Sequence, residues 1–268
     1  MQYSRLIVAL IFIPLFYLLV RYLPPYAFFA LILSAIILGQ YEFYNILSKD
    51  GIRPSKTIGI SLGGLSGFLF YTGDLYLVNL FIPIGIFLVT FGRLLSKRDI
   101  KKAFVDVSIT FFGIFFVAWL MGHQILLRNL EEGRNLIFLL YAIIWIGDTA
   151  AYAIGSSIGR HRLAPQISPK KSWEGAMAGF LAGLSMGFIA KFTFFDALDY
   201  SDCMILGSGL SFLGQLGDIS ESMFKRGAEV KDSSSLVPGH GGILDKMDSL
   251  LYTSPALYYY YKFFMVGH

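Results

Sequence analysis

Nine mostly apolar runs, separated by short charged loops, dominate this chain. They lie at approximately 5–23, 26–48, 57–73, 75–93, 104–127, 136–157, 174–195, 203–222 and 245–265. A helix needs roughly 17–25 such residues to cross the hydrocarbon core of a bilayer. Inside that core the backbone must satisfy its own hydrogen bonds, which leaves helices or closed barrels. The pattern predicts an all-α, polytopic integral membrane protein with about nine transmembrane helices. Composition agrees: 15% of the 268 residues are charged and 55% are apolar, where a soluble domain would carry about 25% charged residues. Arg21 and Pro24-Pro25 follow the first run, with no small-residue cleavage site, so it reads as a helix and not as a signal peptide. Gly73-Asp74 alone separates the third and fourth runs, which predicts a hairpin of two helices. Polar residues interrupt the run at 203–222. Cys203 is the only cysteine, which excludes an intrachain disulfide and a thiolate metal cage.

The basic residues orient these runs. With the N-terminus in the cytoplasm and sides alternating, the inside holds Arg5; Lys49, Arg53 and Lys56; Arg93, Lys97, Arg98, Lys101 and Lys102; Arg160, Arg162, Lys170 and Lys171; and Lys225, Arg226, Lys231 and Lys246. Only Arg21, Arg128, Arg134, Lys191 and Lys262 of the 22 lysines and arginines fall outside. The bias follows the positive-inside rule and predicts a cytoplasmic N-terminus and an outer C-terminus. Lys97 to Lys102 lack carboxylate or glycine company and read as topology signals or as contacts to anionic lipid. Basic residues dispersed over membrane loops give no support to a nucleic-acid partner.

Gly175, Gly179, Gly183 and Gly187 form a four-residue ladder, and Gly59, Gly63 and Gly67 form a shorter one. This spacing keeps small residues on one helix face and admits a close neighbour. The neighbour is either a second copy, giving a homodimer seam, or another helix of the same subunit.

The charged residues that topology does not explain gather toward the inner side. Asp245 and Asp248 open the last run at i, i+3 and so share a face. Asp218 sits near the inner end of the eighth run, and Asp148 in the inner half of the sixth. Acidic oxygen ligands without histidine clusters suit Mg2+ better than zinc. For Asp245 and Asp248 the plainer role is helix capping; for Asp148 it is a buried hydrogen bond or ion pair. Lys225 and Arg226 follow Asp218 by seven and eight residues and share its face if the helix continues. Lys231 follows in the loop. Lys170 and Lys171, in Ser168-Pro169-Lys170-Lys171-Ser172-Trp173-Glu174-Gly175, flank a predicted helix start, a natural phosphate site. In Pro238-Gly239-His240-Gly241-Gly242 the glycines let the backbone present N–H groups to an anion. His240 there reads either as a phosphate or proton-handling group or as part of the turn.

The stretch Ser222 to Asp248 resembles the signature of the phosphatidate cytidylyltransferases (CDP-diacylglycerol synthases): S-x-x-K-R-x4-K-D, a small residue, P-G-H-G-G, then D-R-x-D. The chain matches at Ser222, Lys225, Arg226, Lys231, Asp232, Ser234, Pro238, Gly239, His240, Gly241, Gly242, Asp245 and Asp248. It departs at Val237, and at Lys246, where the family has arginine; lysine keeps the charge but lacks the bidentate fork. Gly147-Asp148-Thr149-Ala150-Ala151-Tyr152 and Ser168 to Gly175 are also similar to this family. The likeness spans roughly residues 140–250.

The resemblance implies an enzyme that transfers CMP from CTP to phosphatidate, giving CDP-diacylglycerol and pyrophosphate, in the phospholipid biosynthesis of a bacterial inner membrane. It implies one or two bound cations, at least one of them Mg2+, held by Asp218, Asp245 and Asp248. Lys225, Arg226, Lys231 and Lys246 would neutralise phosphate oxygens, and Lys170 and Lys171 would complete the nucleotide or lipid headgroup site. Asp148 and Glu174 would ligate the second cation or orient lysines. Ser222, His240, Gly241 and Gly242 would contact substrate. On this view residues 1–135 are a lipid-facing scaffold and residues 136–268 carry the active site, within one membrane domain facing the cytoplasm. A transporter would show an internal repeat with broken helices in matching positions, and none is visible. Phosphotransferases acting on CDP-alcohols or polyprenyl phosphates use DGxxAR or DDxxD runs, which this chain lacks.

Overall fold

The computed structural model describes residues 2–49, 51–236 and 241–265. Every predicted apolar run lies on a helical rod. These are α1 (Gln2–Tyr22), α2 (Pro25–Ile46), α3 (Lys56–Thr72) and α4 (Leu75–Leu94). A composite rod follows: a 3-10 turn (Ile100–Lys102), α5 (Ala103–Gly113), a π-helical segment (Ile114–Trp119) and α6 (Leu120–Arg128). Then come α7 (Gly133–Ile158), α8 (Trp173–Thr193), α9 (Tyr200–Gly227) and α10 (Leu244–Tyr260), with a final π-helical stretch at Tyr261–Met265. Among the described residues, five rods are long and apolar enough to cross a membrane: Pro25–Ile46, Leu75–Leu94, Ile100–Arg128, Gly133–Ile158 and Trp173–Thr193. Of the other rods, α3 and α10 have 17 residues each, and α9 is long but polar. Apolar side chains exposed on α4, such as Ile84 and Phe87, suit contact with lipid. The chain is a helical membrane protein.

Local chemistry sets several helix ends. Pro25 opens α2, where its missing N–H is no loss. Gly73 ends α3 in the left-handed conformation, and Asp74 then caps α4 by accepting from the N–H groups of Tyr76 and Leu77. The two-residue hairpin turn predicted there is present. Between α7 and α8 the loop forms a small antiparallel pair that the sequence reading did not anticipate: β1 (Arg162–Ala164) on β2 (Ser168–Ser172), with Arg162 opposite Ser172.

The chain divides into two compact units, one of residues 1–129 with 227–247, the other of residues 130–226 with 248–268. The division falls inside α10, so that helix begins in one unit and continues in the other.

In the first unit, Leu62, Phe81, Val89 and Ile114 pack together from α3, α4 and the composite rod. Buried polar groups fix the register. Gln40 of α2 donates through Nε2 to the carbonyls of Gly59 (3.2 Å) and Gly113 (3.4 Å), and the Tyr44 hydroxyl donates to the Thr110 carbonyl at 2.7 Å. These bonds meet the carbonyls beside the π-helical segment, where the regular ladder is interrupted. Arg93 and Asp106 form a buried ion pair at 3.0 Å. Asp106 also accepts from the Arg53 N–H, and Arg93 also donates to Ser96 and to the Asp99 carbonyl. Arg128 is likewise buried and donates to the carbonyls of Val20 and Leu23. These two arginines, counted above as topology signals, hold helices together.

In the second unit the four-glycine ladder of α8 is filled from within the chain. A Cβ on Gly175 would meet the Ala151 carbonyl at 2.7 Å, one on Gly179 the Gly147 carbonyl at 2.9 Å, and one on Gly187 the Cys203 carbonyl at 2.6 Å. One on Gly183 would strike the Ser211 side chain. The face is covered by α7 and α9, so the homodimer seam loses the sequence argument that suggested it.

Candidate active site

In the second unit, α9 carries Asp218, Glu221, Ser222, Lys225 and Arg226 on consecutive turns. The helix runs on to Gly227, as the shared face of Asp218 and Lys225 required. Lys171, on β2, forms an ion pair with Asp218. The Ser222 hydroxyl lies 3.4 Å from the other Asp218 oxygen. At Gly217 there is no space for a Cβ, because the Asp248 carbonyl of α10 lies against it. That backbone approach brings Asp248 beside Asp218. Asp218, Glu221 and Asp148 lie within electrostatic reach of Asp248. The Asp248 carboxylate accepts from the Ser249 N–H at 2.7 Å. Asp148, on α7, borders a small cavity together with Gly147, Gly179, Ser211, Gly214 and Gln215.

The cations of this unit are less free than the sequence suggests. Lys225 is 9% exposed and pairs with Glu221 at 2.5 Å. Arg226 donates through Nε to the Ile167 carbonyl at 3.1 Å, tying the end of α9 to the β1–β2 loop. Lys170 is exposed on β2. The helix start beside it is real, since Ser172 caps α8 by accepting from the Gly175 N–H. Glu174 holds His161, with Oε1 2.6 Å from Nδ1, and also accepts from the His161 backbone N–H. Its partner here is that histidine, where the sequence reading had it orienting lysines or ligating a cation.

In the first unit, the loop 227–236 and the start of α10 fold around two carboxylates. Asp245 Oδ2 accepts from the N–H groups of Gly242 (2.7 Å) and Ser233 (2.9 Å) and from the Ser233 hydroxyl (2.9 Å). Gly241 has φ +87°, a conformation side chains rarely adopt, and a Cβ there would strike Asp245. Glu42, on α2, is 1% exposed. It accepts from the Ser234 hydroxyl (2.6 Å) and from the N–H groups of Ile243 (3.1 Å) and Leu244 (2.8 Å), and it shares the single proton of the Ser233 hydroxyl, 2.9 Å away, with Asp245. A Cβ on Gly242 would fall on Ser233 Oγ and Glu42 Oε2. The glycine pair is thus required by carboxylates approaching the backbone. Lys231 and Lys246 are exposed. Lys49 donates to the Ala228 carbonyl just past α9. Pro238, Gly239 and His240 lie outside the described residues.

The carboxyl oxygens of Asp218 and Asp248, side by side in this second unit, are donors of the kind a hard divalent cation such as Mg2+ takes. Among the described residues, no three His, Cys, Asp or Glu side chains form a ready-made metal cage. Sequence reasoning missed two carboxylates. Glu221 lies one residue before the signature motif begins at Ser222. Glu42 had a signal available, a lone carboxylate inside an apolar run.

Residues 3–264 match the model of the cytidylyltransferase family, and the chain belongs to that family; it is a nucleotidyltransferase. It is similar to the phosphatidate cytidylyltransferase of Synechocystis sp., with 31% identity over 260 residues, 87% of each chain. It is 31% identical over 248 residues to the enzyme of that name from Bacillus subtilis, covering 85% of this chain and 91% of the relative. The namesake from Staphylococcus saprophyticus is 36% identical over 191 residues, 70% of each chain. The family resemblance read from Ser222 to Asp248 is borne out.

Proposed function

We propose that the protein transfers CMP from CTP to phosphatidate, giving CDP-diacylglycerol and pyrophosphate, at the cytoplasmic face of a bacterial inner membrane. The observation that carries this reading is the signature from Ser222 to Asp248, set in a chain alike over most of its length to enzymes named for that reaction. We take the nine rods as nine spans, N-terminus inside and C-terminus outside. The basic bias of the loops supports that orientation and puts the charged ends of α9 and α10 where CTP is found.

The nucleophile is a phosphate oxygen, anionic near neutral pH, so no strong general base is needed. The difficulty is to bring one anion onto the α-phosphorus of another, which calls for positioning and charge neutralisation. Lys231 and Lys246, exposed at the loop and at the start of α10, neutralise phosphate oxygens, as do Arg226 and Lys170. Lys171 screens Asp218 and lowers the repulsion an incoming triphosphate meets. Lys225, held by Glu221, adds positive charge beneath the carboxylates. Asp218 and Asp248, both in the second unit, would hold Mg2+. When bound, the ion supplies Lewis-acid neutralisation of the phosphates and of the leaving pyrophosphate. The lipid enters sideways with its tails in the bilayer.

The test is pyrophosphate release by purified protein in detergent, with phosphatidate, Mg2+ and each of CTP, dCTP, ATP, GTP and UTP. Release that requires a cytidine nucleotide, phosphatidate and Mg2+ together is expected. Release without phosphatidate, or none from folded protein, overturns the reading. Asp218→Asn should lower turnover by at least about 100-fold while the protein stays folded. Retained turnover would remove Asp218 from the ion site.

A further inference from the structure

We infer that Glu42 is a positioning residue for this reaction: a buried carboxylate that holds the signature loop and the start of α10 in working register. The inference rests on the proposed function. A helix leaves its first N–H groups without intrahelical partners. At α10 the donors at Ile243 and Leu244 are met by a carboxylate some 200 residues earlier in the chain. The same carboxylate takes the hydroxyl of Ser234 and shares that of Ser233 with Asp245. Four donors converge on one group that is 1% exposed. Charge-assisted bonds of this kind are roughly twice as strong as neutral ones. Ser233 Oγ is also 2.9 Å from Asp245 Oδ2, so one hydroxyl links Glu42 to a carboxylate of the signature. Lys246 follows directly. Glu42 thus acts through the backbone from which Asp245 and Lys246 project. A shorter or neutral side chain at 42 leaves buried donors unmet and frees that backbone.

Glu42→Gln is the test, on purified full-length protein in detergent. Hydrogen exchange at the amides of Ile243 and Leu244 should accelerate roughly 10- to 100-fold, the worth of a hydrogen bond to a charged group. The kcat of pyrophosphate release should fall by a similar factor, with KM for CTP within about threefold, since an interaction that orients reacting groups acts on the transition state. Unchanged exchange in folded Glu42→Gln overturns the clamp, and faster exchange with unchanged kcat overturns its role in the reaction. If Glu42→Gln does not fold, Ser234→Ala removes one donor and should shift exchange and kcat in the same direction by less; no shift in either overturns the inference. The exchange arm reads the clamp even in a wild type that releases no pyrophosphate, an outcome that would sink the proposed reaction alone.

Discussion

Glycine serves the two units differently. In the first, small residues on α3 and the composite rod make room for side chains: the Tyr44 ring lies over Gly59 and Gly113, and the Gln40 amide over Gly63. Those side chains then hydrogen-bond across the helices. In the second, Gly183 and Gly214 meet the side chains of Ser211 and Ile144, but at four contacts among α7, α8, α9 and α10 glycines make room for a neighbour's backbone. Gly147 meets Gly179, Gly175 meets Ala151, Gly187 meets Cys203, and Gly217 meets Asp248. The first unit is held by directional polar contacts that can be lost singly. The second is held by close backbone approach, which cannot yield without moving a helix. Sequence spacing alone does not distinguish the two uses, since both ladders repeat every four residues.

The comparison can be broken most sharply in the first unit. Asp106→Ala leaves Arg93 buried without its carboxylate, and breaking a buried pair costs about 3–5 kcal/mol. Thermal unfolding in detergent should show the largest drop for this variant; a shift no greater than a surface substitution gives would mean that polar contacts do not hold that unit. Next comes Gly187→Ala, whose methyl meets the Cys203 carbonyl at 2.6 Å. Overpacking against backbone should destabilise by about 1–3 kcal/mol. Gly63→Ala sharpens the contrast. Its methyl meets the end of the Gln40 side chain, which must give up its bonds to the Gly59 and Gly113 carbonyls to move, so the loss should be near those two hydrogen bonds, about 1–2 kcal/mol. If Gly63→Ala proves the worse of the two, the distinction between the units fails. Gly209→Ala meets nothing within 4 Å and should be neutral or raise stability by up to about 1 kcal/mol.

Much of the fold was legible because hydropathy reads directly as helix length. The run placed at 75–93 is Leu75–Leu94, and Gly73-Asp74 is the turn its residue types demand. Asp218, Asp248 and Lys171 do come together, although what joins Asp218 to Asp248 is the bare backbone of Gly217. The β1–β2 pair was not legible. Strands of three and five residues carry no usable period, and their pairing depends on the ends of α7 and α8. The π-helical segment left no mark in the sequence because it depends on Tyr44 and Gln40, far away in the chain. Glu42 was passed over for a related reason: its donors lie within the signature stretch near the other end of the chain, and only the tertiary fold brings them to it.

The π-helical segment Ile114–Trp119 carries a consequence for chain length. A π turn accommodates one residue more than an α turn. Deleting a single residue there would let the backbone close into regular α-helix. The π segment has already absorbed that residue's share of a helical turn, about 100°, so the rod downstream would keep its phase. His123, Gln124 and Arg128 would stay buried on α6, and the arginine would keep the carbonyls of Val20 and Leu23. A second deletion would have no such slack and would turn the downstream face by that angle. The segment should therefore tolerate the loss of one residue and not of two.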